Sequence, residues 1–239
     1  MSRTSFQRKV LVLTLAGTLG LAGCASGPTA DPRDPLEPLN RSIYQFNDSV
    51  DRAILKPVAT GYVDVVPGPV RTGVGNFFGN LRDIWSALNA LLQARPREAV
   101  ENTMRFAVNT TLGFAGVLDI ASEMGLERTK LDFGQTLGRW GVPDGPYLVL
   151  PLLGPSSLRD TAALPVDAQG DALGSVGHVP TRNELTVLRV VDQRASLLRA
   201  GEMLEDAALD PYSFVRDSYL QRRQSQTGSR PAEERYDLE

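Results

Sequence analysis

Cysteine and histidine are almost absent from this chain, with Cys24 and His178 the single representatives of each. One cysteine excludes an internal disulfide framework, and the pair cannot build a His and Cys zinc cluster. The uncharged apolar run Val10 to Leu21 falls short of the roughly 20 residues a helix needs to span a bilayer stably. No GxxxxGK[ST] loop is present. Gly73-Val74-Gly75 with Gly79 misses the dinucleotide-binding spacing and follows no predicted strand. Internal repeats and coiled-coil heptads are also lacking. So is an excess of positive charge, since 25 Lys and Arg stand against 28 Asp and Glu. That balance leaves no electrostatic footprint for nucleic acid and no polybasic attraction to anionic lipid.

What is present begins at the N-terminus. Arg3, Arg8 and Lys9 form a basic region ahead of Val10 to Leu21, the layout of a secretory signal over residues 1–23. Leu21-Ala22-Gly23-Cys24 is similar to the bacterial lipobox, in which the cysteine receives a diacylglycerol, the signal is cut before it and the new N-terminus is acylated. More than one lipid chain makes such an anchor stable. Ala25 stands where lipoproteins kept at the inner membrane often carry Asp, which points to the outer membrane. Residues 24–33 are small, polar and proline-containing, the composition of a flexible tether. The 216 residues left after cleavage suffice for one sizeable domain, with 22 basic and 28 acidic residues.

Twenty-two glycines and sixteen prolines punctuate that domain. Asp34-Pro35-Leu36-Glu37 predicts a helix start with an acid cap, proline at N1 and glutamate at N3. Leu39, Ile43, Phe46, Val50 and Ile54 trace one apolar face of a helix that stops before Lys56-Pro57. Pro69 opens a helix through Leu81, where Gly73, Gly75 and Gly79 suggest close helix approach. Asp83 caps another with Ile84, Leu88, Leu91 and Leu92, and Pro96 starts one with Val100, Met104 and Ala107. A short apolar element carries Phe114, Val117, Leu118 and Ile120. Ser156 or Ser157 caps Leu158 to Val166, Asn183 to Leu198 is amphipathic, and Asp210-Pro211 opens the last helix through Leu220. Residues 221–239 read as a disordered polar tail. No alternating run bounded by hairpin turns argues for a sheet. The fold class is therefore all-α, a compact, bent assembly of short helices broken by Pro and Gly, with residues 34–220 as one domain.

The stretch Asp132 to Asp160 is the exception to regular helix. Tyr147, Leu148, Val149, Leu150, Leu152 and Leu153 are apolar, yet Pro143, Pro146, Pro151 and Pro155 forbid a continuous helix. Two readings fit: a re-entrant segment at the membrane, or a buried loop of a soluble domain. Trp85, Trp140, Tyr147 and Tyr212 fit either an interfacial belt or a core. Catalysis would need His178 with Ser156 or Ser157, but Gly154-Pro155-Ser156-Ser157 lacks the GxSxG elbow. Asp119 with Glu123, and Asp132 with Asp144, are the paired acids; acids in first turns and on solvent faces are the ordinary alternative.

Five motifs carry a family resemblance: DPLEPLNRSIYQFND at Asp34 to Asp48, LKPVATGYVDVVPGPVRTGVGNFFGNL at Leu55 to Leu81, RFAVNTTLGFAGVLDIAS at Arg105 to Ser122, DFGQTLGRWGVPDGPYLVLPLLGPSSLRD at Asp132 to Asp160, and DPYSFVRDSYLQRR at Asp210 to Arg223. In order they cover most of the chain, which resembles the MlaA/VacJ lipoproteins. The resemblance implies a ring-shaped helical protein, lipid-anchored at Cys24 in the periplasmic leaflet of the outer membrane. It would pass mislocalised phospholipids through a channel to a soluble periplasmic carrier that serves an inner-membrane ABC transporter, in association with trimeric porins. Neither a cofactor nor a catalytic residue is implied. A phospholipid has on the order of 30 methylenes, so full exposure to water would cost roughly 25 kcal/mol, and a shielded path removes most of that. By the same resemblance Tyr44, Phe46, Asn47 and Asp48 would lie at the channel and its gate, with plain helix packing as the alternative. The apolar run Tyr147 to Leu153 would form a channel wall or membrane-facing loop. Arg216 could meet a lipid phosphate, or make an ordinary ion pair. The rival functions are an anchored lipid or cell-wall hydrolase and a structural, porin-scaffolding lipoprotein.

Overall fold

The computed structural model describes residues 31–228. The signal segment and Cys24 lie outside the described residues, as do positions 229–239. Helix α1 (Glu37–Val50) runs through a π-helical turn, Asp51–Leu55, into α2 (Lys56–Val65). The expected stop before Pro57 does not occur. Proline there falls in the first turn of α2, where its missing N–H was unpaired anyway, and the wider π turn absorbs the register change. Asp34 is not the side-chain cap expected of it. It is buried, its carboxylate takes the Asn40 side-chain N–H at 2.8 Å and the Tyr212 hydroxyl, and the helix begins after Leu36.

Pro67 and Pro69 bracket the start of α3, a single helix over Gly68–Leu92 where the sequence predicted two. Its glycines admit close neighbours, of which only that of Gly75, Asp192 at 3.5 Å from a Cβ built there, belongs to another helix, Val179–Ser196. A Cβ on Gly73 would stand 2.9 Å from Val117 Cγ1, and one on Gly79 would stand 2.5 Å from Arg128 Nη1. Helix α4 (Pro96–Thr111) packs along α3. The apolar element expected after it is a tight exposed loop into the one-turn α5 (Ile120–Glu123), with Phe114, Ala115 and Gly116 all in the left-handed region. Gly116, at φ +94°, also lies where a Cβ would be 2.5 Å from Asn80.

After α6 (Phe133–Arg139), Tyr147–Leu150 and Gly154–Ser157 form an antiparallel hairpin, β1 and β2, with Tyr147 opposite Ser157 and Leu150 opposite Gly154. The otherwise helical architecture thus includes one strand pair that the proline count concealed. Pro155 sits on the strand without breaking the pairing of its neighbours, as edge positions allow. Helix α7 (Leu158–Gln169) is capped by Ser157, a short 3-10 turn spans Ala172–Ser175, and α8 (Val179–Ser196), α9 (Leu198–Ala207) and α10 (Pro211–Thr227) complete the chain. Two boundaries of the sequence reading move. Asp31 and Arg33, assigned to the tether, are bonded to each other and to α10, and α10 continues past 220 to Thr227 because Arg223 pairs with Asp132 and Asp160 at 2.7 Å each.

The amphipathicity of the first helices is inverted. Helix α3 buries Asn80, Asp83, Ser86 and Asn89 while Ile84, Leu88 and Leu91 face outward; α4 buries Asn102, Arg105 and Asn109 while Val100 and Met104 are exposed. On α1, Asn40 is buried and Leu39 and Phe46 point out. The interior these faces build is polar and paired. Arg105, 0% exposed, donates from Nη2 to both Asp119 oxygens at 2.7 Å and from Nη1 to Ser122 Oγ at 3.0 Å and the Leu126 carbonyl, and lies 3.7 Å from Asp83. Asn109 bonds Asp119 and accepts from the Ala121 amide, closing the loop. Removing a member of a buried ion network leaves its partners unpaired, at about 3–5 kcal/mol. Arg105→Ala should therefore lower unfolding free energy by about that amount in denaturant titrations in detergent, and Arg105→Lys should recover little of it, because one ammonium cannot replace two nitrogens of which Nη2 serves Asp119 and Nη1 serves Ser122 and the Leu126 carbonyl.

Candidate functional site

Two regions hold the chemistry the sequence singled out. The first is where α1 meets the hairpin. Asn40 donates to the Tyr147 carbonyl at 3.0 Å and accepts from the Val149 amide at 2.9 Å; Asn47 donates to the Leu150 carbonyl at 2.9 Å and accepts from the Leu152 amide at 2.8 Å. Two side-chain amides thus act as a surrogate strand on the free edge of β1. The match is geometric: seven residues of helix rise about 10.5 Å, and three residues of strand about 10 Å, so equivalent positions on the two elements stay in phase. Asn40 went unnoticed in the sequence, although its spacing of seven from Asn47 puts both on one helix face.

The four gate candidates do different things. Tyr44 packs edge-on against Tyr212 with ring centroids 5.7 Å apart, Asn47 holds the hairpin, and Asp48 pairs with Arg52 at 3.0 Å. Phe46 turns outward. The apolar run also divides by strand alternation. Tyr147 and Val149 are core residues packed with Tyr212, Tyr219 and Leu220, Leu148 and Leu150 are half-buried, and Leu152 and Leu153 project from the hairpin tip at 67% and 71% exposure. Leu152 holds φ at +63° there.

Arg216 lies among carboxylates, with Asp217 at 3.1 Å, Asp31 at 3.3 Å, Asp34 at 3.5 Å and Glu37 at 3.9 Å. So many acids satisfy it and would repel a phosphate, so its role is to fasten the N-terminal segment to α10. The catalytic candidates are committed to local structure. His178 caps α8 through Thr181, Ser157 caps α7, and Ser156 bonds Thr161, with no bond between the histidine and either serine. Asp119 is the α5 cap held by Arg105, Asp132 caps α6, and Asp144 pairs with Arg159. Trp85 donates to Asp167 and the exposed Trp140 to the Leu92 carbonyl, while Tyr147 and Tyr212 are core.

The second region is an apolar recess of about 520 Å³ between the N-terminal half of α3, the loop after α4 and α8, lined by Val70, Val74, Phe77, Phe78, Leu185 and Leu188 among others. Its walls come from segments about 110 residues apart, so no local pattern announces it. A shell of helices that turns leucine, valine and phenylalanine outward, pairs its polar groups inward and keeps an apolar recess is the build of a protein that works against lipid.

The chain belongs to the MlaA lipoprotein family, whose model matches residues 32–226. It is 40% identical over 212 residues to the intermembrane phospholipid transport system lipoprotein MlaA of Shigella flexneri and 39% identical to that of Escherichia coli K12, alignments covering 86% of this chain and 84% of each relative. The Haemophilus influenzae protein of the same name is 33% identical, covering 89% of this chain and 88% of its own. A solved structure concerned with maintenance of bacterial outer membrane lipid asymmetry superposes with a TM-score of 0.71 at 36% identity, covering 81% of this chain and 98% of that one.

Two outcomes follow from this geometry. Asn40→Ala leaves a buried carbonyl and amide unpaired at about 1–3 kcal/mol each, so it should destabilise more than Asn47→Ala at the half-buried outer position. Limited proteolysis should then cut first at the loosened Leu152-Leu153 tip in the Asn47 variant. Asp31 is held at a pKa of about 2, chiefly by the Arg33 side-chain hydrogen bond. Its depressed value means the contact is complete above about pH 4, the ordinary carboxylate value, and is lost as pH falls through about 2. Hydrogen exchange of residues 31–36 should accelerate over that window and not above it.

Proposed function

We propose that this protein is an outer-membrane lipoprotein, anchored through Cys24, whose helices form a ring in the periplasmic leaflet and pass mislocalised phospholipid from the outer leaflet through an amphipathic channel. A soluble periplasmic carrier takes the lipid onward to an inner-membrane ABC transporter, and a trimeric porin holds the ring in place. The inverted amphipathicity of α1, α3 and α4 carries this reading. Each Leu, Ile or Val side chain turned to water instead of an apolar phase forgoes about 1.5–3 kcal/mol, so an outward apolar face on three helices is favourable only against lipid or another apolar surface. Among the described residues no helix is long and apolar enough to cross a membrane, which fits a ring seated in one leaflet. The names of the relatives, which are phospholipid transport lipoproteins, and the lipobox at Leu21 to Cys24 support the same role. The outward exposure of Phe46 and of the Leu152-Leu153 tip supports contact with lipid or porin there.

The deciding experiment is outer-leaflet phospholipid in cells lacking the protein, read by lipid A palmitoylation. Phospholipid should accumulate outside and be cleared by the wild type, His178→Ala and Ser156→Ala. Cys24→Ala, and Leu152→Asp combined with Leu153→Asp, should fail to clear it. Unchanged outer-leaflet lipid in the deletion strain would end the transport reading. Loss of clearance in His178→Ala or Ser156→Ala with the fold intact would put hydrolysis in its place.

A further inference from the structure

Beside the apolar recess the structure gathers three arginines from three elements. Arg82 stands one helical turn beyond Phe78 on α3, and Arg189 follows Leu188 on α8. Arg128 comes from the loop ahead of α6 and lies across Gly79, whose missing side chain makes the room. Their partners do not balance them. Arg189 is taken by Asp171 at 2.8 Å and Arg128 by Asp83 at 3.0 Å, while the nearby Arg105 is already paired with Asp119. Among the described residues Arg82 has no carboxylate within ion-pair distance, and Arg128 keeps a second buried N–H group, on Nη2, with no acceptor.

Arg82 is exposed and stands one turn beyond Phe78, which lines the recess. Desolvation, and then the positive charge of Arg189, hold its guanidinium below the usual range against the opposing pull of Asp171 and Asp83. An exposed cation next to the recess, with the unsatisfied Arg128 N–H group nearby and apolar side chains one turn away, matches a ligand with an anionic head and an apolar tail. Arginine suits the head, since its planar fork meets two phosphate oxygens at once.

We infer that Arg82, with Arg128 and Arg189, forms a phosphate-binding site that takes the phosphodiester of a phospholipid whose acyl chain occupies the recess of Phe77, Phe78 and Leu185. The assignment rests on the transport reading above and adds where the head group is held. It makes Arg82 a binding residue, with Asp83 and Asp171 holding the other two arginines in place.

The test uses the mature lipoprotein in nonionic detergent and three probes: dihexanoyl phosphatidylglycerol, dihexanoylglycerol and inorganic phosphate. Arg82→Gln should weaken phosphatidylglycerol binding about tenfold, the size of one charge-assisted hydrogen bond in a part-solvated site, with Arg82→Lys intermediate. Dihexanoylglycerol, which has the same tails and no phosphate, should bind wild type and variant alike. Because Arg82 has no intramolecular ion pair, the melting temperature should not move. Equal phosphatidylglycerol affinity in Arg82→Gln would overturn the inference and leave transport standing. Arg82-dependent binding of inorganic phosphate, with phosphatidylglycerol indifferent to the substitution, would make this a free-phosphate site and remove the lipid assignment. A wild type that binds neither lipid would bring down the transport reading as well.

Discussion

Pairing of buried polar groups is the constraint on which this structure depends. In most globular proteins the apolar face of each helix turns inward, and burial supplies most of the stability. Here α3 and α4 bury Asn80, Asp83, Asn89, Asn102, Arg105 and Asn109, which pair across the two helices, as Asn80 does with Thr110 and Arg105 with Asp83, or with the segment after α4, as Asn102 does with the Thr129 carbonyl and Asn109 with Asp119. An unpaired member of that set would cost more than the same group costs at a surface. Arg105 therefore sits at the centre of the fold: it fixes Asp119, Ser122 and the Leu126 carbonyl, and so sets the path of the loop that forms one wall of the recess.

The same rule shapes the hairpin. A two-stranded sheet on its own leaves a free edge of amides and carbonyls, and β1 completes that edge with asparagines from α1 instead of a third strand. On its other side, Tyr147 and Val149 reach the aromatic cluster of α10. The hairpin is thus clamped between the first and last helices, and its tip is carried outward with Leu152 and Leu153 exposed. A second ion network ties α6, α7 and α10 through Asp132, Arg159, Asp160 and Arg223. The start of the described residues consequently meets the last helix at Asp31 and Arg216.

Function and stability are divided between the two surfaces. The outer one exposes apolar side chains of α1, α3 and α4. The inner one pairs charges such as Arg105 with Asp119 and Arg128 with Asp83, and Arg82 lies exposed one turn from the recess, with no carboxylate within ion-pair distance among the described residues.

Several properties were legible in the residues themselves. The five motifs identified the family, because such signals are local strings of defined chemistry. Most helix starts were also readable, since proline in a first turn and a side-chain cap act within four residues. Other properties were decided by contacts across the chain. The apolar stripe of Ile84, Leu88 and Leu91 looks the same whether it faces a core or a lipid phase, and only the polar partners brought by α4 and the 126–131 loop show that it turns outward. The hairpin was hidden by four prolines because its edge is satisfied by Asn40 and Asn47, over 100 residues away, and not by a neighbouring strand. In sequence Arg216 fits either a lipid phosphate or an ordinary ion pair, and in space four acids surround it. The recess arises where α3, the loop after α4 and α8 converge. Periodicity specifies which residues share a face, and only packing specifies what that face meets.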